Sequence, residues 1–165
     1  MSNKTKIVYS NKWFKIVSEK IKNYDDPFYT LQTNDFVSIF AINKKNKILL
    51  VKQYRPALKK FTLEFPSGHV EKNEKPNQSA KKELLEETGY EAKKIKLLKT
   101  IYHDTARLNN KLFFYHAKNI QKIQSPENGI KLIELNYKEL FKAYEKNQLN
   151  SSMSLAMLYV IKKLI

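Results

Sequence analysis

The chain contains no cysteine, which rules out a disulfide framework and any thiolate metal site. It has no apolar run long enough to span a bilayer, and its first residues, Met1-Ser-Asn-Lys-Thr-Lys6, lack the apolar stretch of a secretion signal. A cytoplasmic protein is expected on that ground. Acidic residues are scarce, 16 against 31 basic ones, for a formal net charge of +15. A field of that sign attracts polyanions without sequence preference. The lysines, however, run from Lys4 to Lys163 in nothing longer than pairs, so no stripe marks a nucleic-acid track and a nucleic-acid partner is not expected. The same field draws in a small pyrophosphate. Arginine is nearly missing: Arg55 and Arg107 are the two among the 31 basic residues, while asparagine occurs 15 times. This imbalance reads as a compositional bias, and it makes each arginine informative.

Neither an internal repeat nor a low-complexity linker interrupts the chain. At 165 residues and 42% hydrophobic, it is long enough for one well-packed core with a small appendage. The step near residue 35 separates an N-terminal β segment, 1–35, from a main domain, 36–165. Strand-like runs are predicted at Lys6–Tyr9, Trp13–Val17 and Phe28–Gln32, then at Phe36–Ile42 and Ile48–Tyr54 around Asn43-Lys-Lys-Asn-Lys47, which reads as a hairpin. Pro56 and the lysines after it mark a loop, and Phe61–Phe65 reads as extended. Pro76 opens a predicted helix that Gly89 stops. Strands follow at Ile95–Tyr102, Leu112–Ala117 and Ile130–Leu135, then helices at Tyr137–Lys146 and, capped by Ser151, at Met153–Leu164. This order predicts an α/β arrangement around a mixed sheet.

The helix opened by Pro76 carries Glu83, Glu86 and Glu87 within one turn. Carboxylates at i, i+3 and i+4 share a helix face and repel each other when nothing lies between them. A solvated acidic face would have the same spacing. In so basic a chain, however, the nearest lysines, Lys81 and Lys82, sit beside the triad in sequence and do not fill its face. Clustered oxygen donors suit a hard cation, Mg²⁺ with Mn²⁺ as substitute.

The wider pattern is Gly68, five residues, Glu74, seven residues, Lys82-Glu83-Leu84, one residue, Glu86-Glu87, one residue, Gly89-Tyr90. It resembles the signature of the Nudix hydrolases, keeping both glycines and all four glutamates. It departs at Lys82, where the family has arginine, and at Tyr90, where the family's residue is usually aliphatic. Lysine keeps the charge that orients a glutamate but lacks the planar two-pronged donor, so a reduced rate is compatible with this chain. Upstream, Gln53-Tyr54-Arg55 and Glu64-Phe65-Pro66-Ser67-Gly68 resemble segments of the ADP-ribose and sugar-nucleotide pyrophosphatase branch, and the resemblance covers nearly the whole chain.

The resemblance implies an α/β/α sandwich around a mixed sheet (α+β in its mix of elements), with a small N-terminal antiparallel segment that pairs subunits into a homodimer and stacks the nucleotide base. The implied reaction is metal-dependent hydrolysis of a nucleoside diphosphate-linked sugar. By the same resemblance Glu83, Glu86 and Glu87 hold the metal together with the carbonyl of Ser67, Glu74 supports the metal shell, Gly68 lets the loop backbone pass close to it, Arg55 contacts phosphate, and Glu64 assists that region. Glu86 and Glu127, the single acid of the loop Gln124–Gly129, compete as general base. Arg107 lies in a loop between two predicted strands, a place suited to substrate choice, but the proline-glycine pair common there in the branch is missing. Trp13 is the aromatic candidate for base stacking. His103 and His116, each beside strand residues, read as structural. The rival readings are a Nudix enzyme acting on nucleoside triphosphates or capped RNA, a non-catalytic sensor of nucleotide sugars, and a basic nucleic-acid binder.

Overall fold

The computed structural model describes residues 5–164; the first four residues of the expected N-terminal segment, and Ile165, lie outside the described residues. β1 (Thr5–Ser10), β2 (Phe14–Glu19) and β3 (Phe28–Thr33) form an antiparallel sheet of their own. Asn11 makes the first turn, its side-chain oxygen accepting the N–H groups of Trp13 and Phe14 at 2.8 and 2.9 Å, a local bond that asparagine supplies where the backbone reverses.

Beyond this sheet come β4 (Phe36–Ala41), β5 (Ile48–Arg55), a 3-10 turn (Pro56–Leu58), β6 (Lys60–Glu64), β7 (Ser67–His69), α1 (Pro76–Thr88), β8 (Tyr90–Tyr102), β9 (Lys111–Lys122), β10 (Lys131–Leu135), α2 (Tyr137–Glu145) and α3 (Ser152–Ile161). Their strands make two sheets, β7-β4-β9-β8 and β10-β5-β6. The first is mixed because β4 runs parallel to β9.

The hairpin expected across Asn43–Lys47 is not formed. Only the bridge Ile42↔Ile48 joins β4 to β5, and the two strands then part into different sheets. The turn chemistry is present, with the Asn43 side-chain oxygen accepting the N–H groups of Lys45 and Lys47 at 2.9 and 3.0 Å. What decides the pairing is burial. Val37 to Ala41 and Ile48 to Val51 are buried on both faces, so each strand needs cover above and below, and neither serves as an edge beside the other. β8 and β9 also run longer than predicted, because lysines and polar residues in their outer halves hide an antiparallel ladder from Tyr90↔Lys122 to Tyr102↔Lys111, broken by one register shift between Leu97 and Lys99.

Alternate residues of β4 feed two cores, as the two-residue side-chain period of a strand requires. Phe40 joins Ile48, Leu50 and Phe114 beneath α2 and α3, where Leu140, Met157 and Ile161 are buried. Val37, Ile39 and Ala41 turn the other way, against Ala80 and Leu84 of α1. The result is the α/β/α sandwich expected from the sequence. Burying Leu84 contributes about 1.5–3 kcal/mol toward holding α1 on the sheet. The helix starts at Pro76, with the Gln78 side chain accepting the Lys75 N–H at 3.0 Å, and ends at Gly89, whose φ of 77° is the left-handed conformation that suits glycine at a helix stop. Ser151 caps α3 as predicted, accepting the Ser154 N–H at 3.1 Å.

Candidate active site

The apolar stripe that seats α1 also sets the depth of its glutamates. Ala80, Leu84, Glu87 and Thr88 are all buried, so Glu87 lies at the end of the stripe and is only 6% exposed, while Glu83 and Glu86, on the flank, are half-buried. Glu87 Oε2 accepts the Ser67 backbone N–H at 2.8 Å, and Gln53 Nε2 approaches Oε1 at 3.5 Å. Burial pushes the Glu87 carboxyl up to about 8; the Ser67 N–H opposes this and the charge of Glu83 adds to it. Glu83 is pushed up to about 7, first by burial and then by Glu86. Glu86 is raised by burial, which the charge of Lys82 opposes and that of the nearby Glu127 reinforces.

The second half of the site comes from β5 and β6. Arg55 and Glu64 face each other as a two-pronged pair, Arg55 Nε donating to Glu64 Oε1 at 3.0 Å and Nη2 donating to Oε2. Thr62 Oγ1 donates to the same Oε1 at 2.6 Å. Burial works to raise the Glu64 pKa, but the hydrogen bonds from Arg55 and Thr62 win and hold it below the usual carboxylate range. Glu64 therefore acts as the anchor that aims Arg55. Thr62 and Gln53 are functional neighbours that the sequence reading missed. Their signal was the two-residue strand period, which puts Gln53 on the face of Arg55 and Thr62 on the face of Glu64.

The loop bearing Glu127 is docked on the end of α1. Glu127 N–H donates to the Glu86 carbonyl at 2.9 Å, and Ile123 N–H donates to that of Gly89 at 2.9 Å. These are carbonyls that a terminating helix leaves without partners. Glu127 is thus held beside Glu86. Glu74 sits at the other end of the helix, where its Oε2 accepts the Ser79 hydroxyl at 2.7 Å. Lys82 is exposed and, among the described residues, forms no ion pair.

Two candidates lie elsewhere. Arg107 donates to the Tyr29 carbonyl at 2.9 Å and lies 4.1 Å over the Phe28 ring, while its own carbonyl accepts the Leu31 N–H at 2.8 Å. It fastens the loop between β8 and β9 to the N-terminal sheet. Trp13 lines a shallow cleft with Phe14 and Asn109 and with none of the glutamates. His116 packs by Phe40 with ring centroids 5.1 Å apart, a structural setting, and His103 lies in the loop after β8.

Several features fit a divalent cation. The glutamates crowd the C-terminal half of α1, where the helix dipole disfavours negative charge, and the last turn holds no basic residue. A side chain at Gly68 would put its Cβ 2.0 Å from the Glu83 carboxyl carbon, so the chain leaves room for that carboxylate against the β7 backbone. The Ser67 hydroxyl, buried without a hydrogen-bond partner among the described residues as is that of Ser38 opposite it on β4, points to the other side of the strand, leaving the Ser67 main chain free to face the glutamates. The donors are hard oxygens throughout. Among the described residues, no group of three or more His, Asp or Glu side chains is preformed as a metal cage, so a cation would have to draw the glutamates together.

A model of the NUDIX domain matches residues 33–152. The chain is 33% identical over 121 residues to the methanol dehydrogenase activator of Bacillus methanolicus, covering 70% of this chain and 65% of that protein. It is 42% identical over 66 residues to the ADP-ribose pyrophosphatase of Bacillus subtilis (strain 168), covering 40% of this chain and 36% of that protein. The matched stretches thus span under two thirds of these curated relatives' length. Among solved structures, an ADP compounds hydrolase superposes with a TM-score of 0.81 at 17% identity, covering 98% of this chain and 91% of that one, a likeness of fold.

Proposed function

The chain belongs to the Nudix family, and on that premise we propose that it hydrolyses the pyrophosphate of a nucleoside diphosphate-linked sugar of the ADP-ribose type. The observation that carries the reading is the meeting of the α1 carboxylates with a guanidinium. Burial and mutual repulsion push two of those carboxyls up to about 7 and about 8, and Glu64 holds Arg55 beside them. The similarity to an ADP-ribose pyrophosphatase supports the choice of substrate class.

In this reading Glu83, Glu86 and Glu87 hold the cation, Mg²⁺ or Mn²⁺, with the Ser67 carbonyl. When bound, it neutralises phosphate oxygens and lowers the pKa of water. Arg55 binds the diphosphate as a planar two-pronged donor. Glu86 or Glu127 takes the proton from water as its oxygen bonds to phosphorus; the bridging P–O bond breaks, leaving a nucleoside monophosphate and a sugar phosphate. The test is product analysis with ADP-ribose, other sugar nucleotides, nucleoside triphosphates and capped RNA, with and without Mg²⁺. Metal-dependent release of AMP and ribose phosphate from ADP-ribose is expected; cleavage of triphosphates or caps alone, or binding without cleavage, removes the proposal.

Lys82→Arg supplies the family's residue. Because Lys82 is exposed and without an ion pair, its replacement disturbs no packing, and activity should equal the wild type or exceed it by up to about fivefold, roughly the 1 kcal/mol of a better charge-assisted contact. A clear loss in steady-state assays would show that the lysine is fitted to this site.

The N-terminal segment, residues 1–35, is the proposed dimerisation element. β1 is exposed along its whole length, and Ile7, Tyr9, Trp13 and Tyr24 are 55%, 51%, 62% and 57% exposed, more apolar surface than a three-stranded sheet leaves open when it stands alone. Pairing through this sheet gives Trp13 a route to a partner's nucleotide site that it lacks within its own chain. Light scattering should give a dimer for the full chain and a monomer for a chain beginning at Asp35. A monomeric full chain, or a shortened one that still binds ADP-ribose normally, rules the assignment out.

A further inference from the structure

The opposite face of the sheet that presents Arg55 and Glu64 carries a separate cleft. In the β5–β6 ladder, Val51↔Glu64, Gln53↔Thr62 and Arg55↔Lys60 alternate with Lys52↔Leu63 and Tyr54↔Phe61. Residues directly opposite in an antiparallel pair share a face, so Lys52, Tyr54, Phe61 and Leu63 point away from the glutamates. There Lys52, Phe61 and Leu63 border a cleft of about 420 Å³ between β6 and the α2–α3 connection, and Lys52 and Phe61 also border a second hollow of about 410 Å³ that reaches Lys131, directly opposite Lys52 in the β10–β5 pair. This size is in the range of small-molecule sites.

The lining combines three kinds of group. Phe61 is 60% exposed and meets Tyr54, 50% exposed, edge-on with ring centroids 5.5 Å apart, so a flat aromatic face is open to solvent. Lys52 stands 5.6 Å from that ring, and Lys131 borders the adjoining hollow. Asn147, Gln148 and Asn150 enter from the far wall. Their backbone is fixed, with Asn147 N–H on the Tyr144 carbonyl and Gln148 N–H on that of Ala143, both at 2.9 Å. Their side-chain amides have no hydrogen-bond partner among the described residues. Carboxamides on a fixed backbone across the cleft from an exposed ring, with ammonium groups at its side, match a molecule that has a flat heteroaromatic base with hydrogen-bonding edges and an attached phosphate. Among the described residues, no acidic side chain lines either hollow, so none of them repels the anion there.

We propose that this cleft is a second ligand site that takes a nucleoside phosphate, its base stacked on Phe61 and read by Asn147, Gln148 and Asn150, its phosphate against Lys52 and Lys131. The site is distinct from the carboxylate centre, and its position behind β5 and β6 makes it suited to sensing a nucleotide product or effector.

The test is calorimetric titration of the full-length protein with AMP in the presence of a chelator. No hydrolysis is involved, so the outcome is separate from that of the substrate panel. Saturable binding is expected. It should weaken roughly tenfold or more in Phe61→Ala, as removal of a base-stacking ring does, and similarly in a Lys52→Gln, Lys131→Gln double variant, while Glu87→Gln binds as wild type. These residues are exposed, and thermal melts check that each variant folds; Phe61→Leu replaces Phe61→Ala if the latter does not. The proposal is overturned if AMP fails to bind, if the Phe61 and lysine variants bind normally, or if Arg55→Lys is the change that abolishes binding. Displacement of AMP by inorganic phosphate at equal concentration overturns base recognition, and a drop in the scattering mass of Phe61→Ala assigns the cleft to a subunit contact instead.

Discussion

Replacing Glu87 by glutamine should lower metal-dependent turnover on the order of 100-fold or more and, in the absence of metal, raise the melting temperature at pH 8. Both effects come from one position. The side chain is 6% exposed, and its pKa, raised to about 8 by burial, means that its ionised form is disfavoured in the fold. Glutamine keeps the shape and the oxygen that accepts the Ser67 N–H, and it removes the charge. The pH dependence follows by linkage. An unfolded glutamate loses its proton near 4.5, whereas Glu83 and Glu87 hold theirs to about 7 and about 8 in the fold, so unfolding releases protons between these limits. The stabilising contribution is full below pH 4.5 and is lost as pH rises through 7 to 8. His69 and His116, whose pKa values are lowered by burial from 6.5, act in the opposite sense below pH 6.5 and not above it. The clean window is therefore pH 6.5 to 8. Metal-free wild type should lose stability across it, Glu87→Gln should lose less, and Mn²⁺ should flatten the wild-type curve alone. Glu83→Gln should behave likewise, with its window closing near pH 7. Wild-type turnover in either variant, or a metal-free wild-type melting temperature that climbs from pH 6.5 to 8, would remove the two residues from the metal site.

Gly68→Ala should be almost as damaging to activity for a different reason. The φ of Gly68 is not in the left-handed region; what the position requires is the absence of a side chain, since a Cβ would fall 2.0 Å from the Glu83 carboxyl carbon. Glu83 is flexible and half-buried, so its carboxylate swings aside at small cost to the fold while the donor leaves the β7 backbone. Activity should fall on the order of 100-fold, with the melting temperature within a few degrees of wild type. Higher Mn²⁺ concentration should recover part of the loss, because the damage is to cation affinity. A variant with full activity, or one that fails to fold, contradicts this account.

The glutamate-bearing helix was legible from the chain itself because its signals are local: Pro76 at the start, Gly89 at the stop, and three glutamates whose spacing alone puts them on one face. The hard-cation reading rested on donor type, and Arg55 stood out against a lysine-rich background. The tertiary structure decided what depends on residues distant in sequence. Whether β4 and β5 pair was not written in the turn between them, because Asn43 makes the same bonds at a corner as in a hairpin, and burial on both faces sends the strands to different sheets. Glu87 and Glu86 read alike in sequence, but the Ala80–Leu84 stripe buries the first and leaves the second at the rim, which separates their pKa values. Arg107 and Arg55 were equally conspicuous as letters. Packing gives one to Phe28 and Tyr29 and the other to Glu64, because a guanidinium takes whichever acceptor the fold places within reach. Residue types and local spacing carry the chemistry a segment is capable of; which of those groups meet, and how far from water, is settled when non-local burial brings them together.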